Sequence, residues 1–71
     1  MRGAEFLRKV KRLGERRGIA VRFEAKRGKG SHGTLYFGGS RTVLQDLKKE
    51  LPLGTLHAIL RQLGLTLKDL E

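Results

Sequence analysis

The chain has 71 residues, no cysteine and no tryptophan, and a formal charge of +9 from 16 Lys and Arg against 7 Asp and Glu. That length is one domain, residues 1–71, and a chain so short buries only about 60% of its unfolded surface, which excludes a deep enclosed pocket and favours a shallow surface site. Without cysteine there are neither disulfides nor thiolate metal ligands. No apolar run approaches the roughly 20 residues of a membrane span, and Leu7 is followed by Arg8, Lys9, Lys11 and Arg12 where a signal peptide would have its apolar core. A cytoplasmic chain with no membrane association is the expectation.

The first predicted element is a helix over residues 4–17, AEFLRKVKRLGERR, with Phe6, Leu7, Val10 and Leu13 forming one apolar stripe. Its other face is cationic, and Arg8, Lys11 and Arg12 are candidates to track a phosphate backbone. Gly14 weakens the last turn by about 1 kcal/mol relative to alanine, and Gly18 marks the stop. The period then changes to two. In GIAVRFEAKR, Ile19, Val21, Phe23 and Ala25 alternate with Ala20, Arg22, Glu24 and Lys26, which reads as a half-buried strand.

RGKGSHG (27–33) is a glycine-rich turn, and TLYF (34–37) is a second strand with Leu35 and Phe37 inward and Thr34 and Tyr36 outward. GGS (38–40) is a second tight turn and RTVLQ (41–45) a third strand. After a connector over 46–52, Leu53, Leu56, Ile59, Leu60 and Leu63 lie on one face of a helix that Pro52 opens and Gly64 closes. Thr66 and Asp69 have the spacing of a capping box for a last short turn. The class is α+β, in the order α-β-β-β-α. The expected solution is two layers, a three-stranded antiparallel sheet with both helices on one face. Val21, Phe23, Leu35, Phe37 and Val43 are then expected beneath the helices, and Arg22, Glu24, Lys26, Thr34 and Tyr36 on the open side.

Charge is segregated along the chain. Residues 1–45 hold 12 Lys and Arg against 3 Asp and Glu, whereas residues 46–71 hold four of each. A one-sided basic field attracts polyanions, nucleic acid foremost. Within that field lies His32, whose imidazole changes charge near neutral pH and can take or give a proton there. Lys26, Arg27 and Lys29 are its cationic neighbours, and the glycines around Gly30 and Ser31 let backbone N–H groups approach a phosphate. The plain reading of His32 is an idle turn residue. Tyr36 is either a base-stacking platform or the rim of a small core. His57 flanks an apolar stripe and reads as a surface or packing residue. Two histidines with no cysteine and no nearby carboxylate cluster make a poor metal site, and no metal or cofactor is expected.

The turn KGSHG and the segment ELPLGTLHAILRQLGL, together with the α-β-β-β-α order, resemble the HicA family of messenger-RNA-cleaving toxins, over about residues 4–70. The helix segment is the more specific part, close to Pro-x-Gly-Thr-Leu-x-x-Ile-Leu-x-x-x-Gly-Leu. The resemblance implies a double-stranded-RNA-binding-domain-like fold and a metal-independent endoribonuclease belonging to a type II toxin–antitoxin pair. It implies His32 as general base and acid, mRNA as substrate, and a HicB-type antitoxin as partner in a toxin–antitoxin hetero-oligomer. Gly33 stands where the family has a second histidine. The leaving group's proton would then come from His32 itself, a lysine or Tyr36. Two other functions fit the same residues: an RNA-binding module without catalysis, and an interaction or DNA-binding protein using its last helix. That helix has Arg61 as its only cation, which equips it poorly for a groove.

Overall fold

A computed structural model describes residues 1–26 and 32–71. The first helix, α1, runs from Gly3 to Arg17 and buries Phe6, Val10 and Leu13. It passes through Gly14 without a break, and the chain leaving the helix folds back against that residue. Ile19 N–H donates to the Gly14 carbonyl at 2.8 Å, and a Cβ on Gly14 would lie 2.7 Å from the Ile19 oxygen and closer still to a methyl of Val21. Glycine at 14 is therefore a packing requirement rather than a helix stop. Gly18 ends the helix in the left-handed region at φ 69°.

Three strands follow, β1 (Val21–Ala25), β2 (Gly33–Phe37) and β3 (Ser40–Leu44), in an antiparallel sheet of order β1-β2-β3. The two-residue turn at Gly38 and Gly39 sets the register of β3, pairing Phe37 with Ser40, Leu35 with Thr42 and Gly33 with Leu44. Side chains alternate along a strand, so Thr42 and Leu44 face inward with Leu35 and Phe37. Val43, expected in the core, is 50% exposed on the other side. Thr42 is tolerated inside because its hydroxyl donates to the Gln62 side-chain oxygen on the second helix.

That helix, α2 (Leu53–Leu63), buries Leu56, Ile59, Leu60 and Leu63 and ends at Gly64 with φ 73°. Leu53, expected on the same stripe, is exposed at the first position of the helix. Both helices cover one face of the sheet, α1 against β1 and β2 and α2 against β3. The 3₁₀ turn Leu67–Leu70 closes the chain with the expected capping box: Thr66 N–H donates to the Asp69 carboxylate, and Asp69 N–H donates to the Thr66 hydroxyl. Arg17 reaches the same carboxylate at 2.8 Å and ties the end of α1 to the C-terminal turn. The Thr66 N–H, and then Arg17, hold the Asp69 carboxyl below its ordinary range. At the other end of α1, the Gly3 and Ala4 N–H groups donate to the carbonyls of Lys49 and Leu47. These bonds satisfy helix donors that have no partner within the helix. The result is the generic α-β-β-β-α two-layer arrangement seen in double-stranded-RNA-binding domains.

Candidate functional site

With both helices beneath it, the sheet leaves its other face open, and the strand register orders that face into rows. Arg22 on β1, Tyr36 on β2 and Arg41 on β3 stand side by side. Next to them lie Glu24, Thr34 and Val43. The pairing continues one residue past the strands, where Lys26 N–H donates to the His32 carbonyl at 3.0 Å. Gln45, just beyond β3, lines the same shallow concavity as Glu24, Lys26, His32, Thr34 and Val43. His32 is half-buried there, on the same side of β2 as Thr34 and Tyr36. The histidine of the sequence motif thus heads a row of outward residues on the central strand, flanked by Lys26.

Gly33 explains itself in this frame. It faces the covered side of the sheet, opposite to His32. A Cβ on it would lie 2.8 Å from the Ala25 Cα and 2.9 Å from the Glu24 carbonyl carbon. These are backbone atoms of the paired strand, which cannot turn aside as a side chain can. A second histidine at this position would find no room in this structure, nor would it share a face with the first.

Lys26, His32 and Tyr36 are therefore brought together on one surface. Arg8, Lys11 and Arg12 are not: they are exposed on α1, the helix that covers the opposite face. Arg27, Lys29, Gly30 and Ser31 lie outside the described residues. His57 is exposed on α2, beside Arg61 and away from the open face.

The structure adds two cations that the motif reading had not assigned to the site. The Arg22 guanidinium lies over the Tyr36 ring, 4.7 Å from its centroid, and also meets the Glu24 carboxylate at 3.8 Å. Arg41 stands opposite Tyr36 on β3 and is exposed. Alternation along β1 already put Arg22 on the polar face, whereas Arg41 could be placed only once the register of β3 was known. Among the described residues, the face thus carries Arg22, Lys26 and Arg41 against the carboxylate of Glu24. Glu24 offsets one of these charges, and the excess of cations leaves the field of the described face positive.

Among the described residues, no three His, Cys, Asp or Glu side chains gather as metal ligands, and no helix is long and apolar enough to cross a membrane. What the arrangement can do is bind an extended anion along β2 and present an imidazole at one end of it. Comparison with protein-family models, with curated proteins and with solved structures finds no match, so the generic two-layer fold and the chemistry of this open face are what define the chain.

Proposed function

We propose that this chain is an RNA-binding domain that engages the sugar–phosphate backbone with its open sheet face. The observation that carries the reading is the juxtaposition of Arg22, Lys26, His32, Tyr36 and Arg41 on one uncovered surface. It belongs to the part of the chain that holds the entire charge excess. Cations that neutralise phosphates release condensed counterions, so the logarithm of the binding constant falls linearly with the logarithm of salt concentration. Anisotropy of a fluorescently labelled RNA, titrated with the protein at several salt concentrations, tests this. Each phosphate contact contributes about 0.7–0.9 to the slope, and Lys26→Gln is expected to remove one such increment. Failure to bind RNA, or binding that ignores salt, overturns the proposal.

A second reading is favoured by the position of His32 beside Lys26 in the concavity, and by the resemblance of KGSHG and ELPLGTLHAILRQLGL to HicA toxins. In that reading the chain is a metal-independent ribonuclease. His32 removes the proton of a ribose 2′-OH, and the 2′-oxygen bonds to the adjacent phosphorus. The 5′-oxygen leaves with a proton supplied by His32, Lys26 or Tyr36, giving a 2′,3′-cyclic phosphate and a free 5′-hydroxyl. Lys26 offsets the charge that builds on the phosphate oxygens. The cellular setting would be cytoplasmic, with mRNA as substrate and a HicB-type antitoxin covering the basic surface. Incubation of RNA with the protein in EDTA, followed on a gel, tests the chemistry. Cleavage lost in His32→Ala and retained in chelator supports it, whereas intact RNA, or cleavage by His32→Ala, removes it and leaves RNA binding standing.

A further inference from the structure

We propose that Arg22, Tyr36 and Arg41 form a nucleobase-stacking subsite, so that the open face takes single-stranded RNA in preference to duplex; this deepens the RNA-binding reading and rests on it. On its β1 side the Tyr36 ring is covered by the Arg22 guanidinium at 4.7 Å, which also meets Glu24 at 3.8 Å. On its β3 side the same residue borders an open concavity shared with Thr34, Arg41 and Val43. A planar base laid into that concavity continues the stack of guanidinium and phenol ring. The exposed aliphatic side chain of Val43 offers it an apolar floor, and Arg41 is placed to meet the phosphate of the same nucleotide.

Polar groups are available at the base edge. Gln45 lines the same concavity beside Val43, and the concavity continues round the edge of β3 to Thr55 and Gln62 on α2. The rest of the strand would run along β2 toward Lys26 and His32, where the next cation lies.

Duplex RNA cannot use this row. Its base faces are buried against one another, and its wide minor groove offers 2′-hydroxyls and base edges rather than ring faces. Stacking needs an unpaired base, and it tolerates any sequence because every base has a ring face. The row therefore selects strand state more than sequence.

Tyr36 is the only tyrosine in a chain without tryptophan, so the protein's intrinsic tyrosine fluorescence reports this one ring. The experiment titrates the whole chain with an oligouridylate, and separately with a blunt RNA duplex of equal length, reading both fluorescence and labelled-RNA anisotropy. Expected are quenching of Tyr36 by the single strand alone and tighter binding of the single strand. Tyr36→Leu should weaken single-strand binding roughly ten- to a hundredfold, whereas Tyr36→Phe should retain it. Arg41→Gln, at an exposed position, should also weaken single-strand binding, and it keeps the test open if Tyr36→Leu fails to fold. Single-strand binding with unchanged Tyr36 fluorescence, or equal affinity for the two strand states, refutes the subsite and leaves RNA binding intact. Failure to bind either RNA refutes the parent reading and this one together.

Discussion

Alanine in place of glycine inside a helix ordinarily stabilises it by about 1 kcal/mol; Gly14 lies inside α1 and Gly54 in the first turn of α2. The two substitutions are nevertheless expected to act with opposite sign. Around Gly54 a Cβ would meet nothing within 4 Å. Gly54→Ala should therefore gain about 0.5–1 kcal/mol, which raises Tm by about 2–8 °C in a domain of this size. At Gly14 the same methyl would lie 2.7 Å from the Ile19 carbonyl oxygen and press on Val21. Overpacking costs about 1–3 kcal/mol. Pushing Ile19 away also strains its N–H bond to Gly14, and such a bond contributes about 0.5–1.5 kcal/mol. Set against the propensity gain, the net loss is about 0.5–3.5 kcal/mol. A chain of 71 residues has only about 3.5–11 kcal/mol of stability in all. Thermal unfolding of the two variants, followed by circular dichroism at the helix band, measures both signs in one experiment. A Gly14→Ala variant as stable as the parent chain would refute the argument that the α1–β1 return is packed backbone against backbone.

The remaining expectations concern the sheet, the core and the C-terminal turn. Gly33→His should unfold the chain or strip β1 from the sheet, because its Cβ meets Glu24 and Ala25 backbone atoms. Hydrogen exchange of the β1 amides reads this, and native protection in the variant would contradict it. Thr42→Val should lower the urea midpoint with an unchanged slope, at a cost of about 0.5–1.5 kcal/mol for the lost bond to Gln62; an unchanged midpoint would show that the bond contributes nothing. Asp69 has a lowered pKa in the folded chain. Its contribution is therefore full above its ordinary value of 3.8 and is lost as pH falls through the lowered folded value. Asp69→Asn should be less stable at neutral pH and lose less stability on acidification than the parent chain, as urea midpoints at pH 6 and pH 2 would show. Parallel pH dependence in the two proteins would refute the assignment.

Much of the framework can be read from period and punctuation. The stripe of Phe6, Val10 and Leu13, the alternation in TLYF, and Leu56, Ile59, Leu60 and Leu63 each bury as their spacing demands. Gly18 and Gly64 stop their helices because each takes a left-handed conformation that favours glycine. Thr66 and Asp69 form their capping box from residues three apart within one turn. These are local matters, decided within one or two turns of chain, and so residue order by itself determines them.

What tertiary structure alone decided is long-range. In RTVLQ two apolar neighbours, Val43 and Leu44, compete for the inward side, and alternation cannot choose between them. The Gly38–Gly39 turn and the pairing with β2 choose Leu44, and they turn Val43 outward to floor the open face. The same pairing brings Arg41 to Tyr36. It also reveals Gly33 as a point of close backbone approach, which a Gly-Ser-His-Gly string does not display. The cations divide between faces in the same way: Arg8, Lys11 and Arg12 share a basic segment with Lys26 but stand on the helix that covers the sheet's other side. Net charge adds along the chain. A binding surface depends on which side of the sheet each charge occupies, and that is settled only when the strands pair and the helices choose a face.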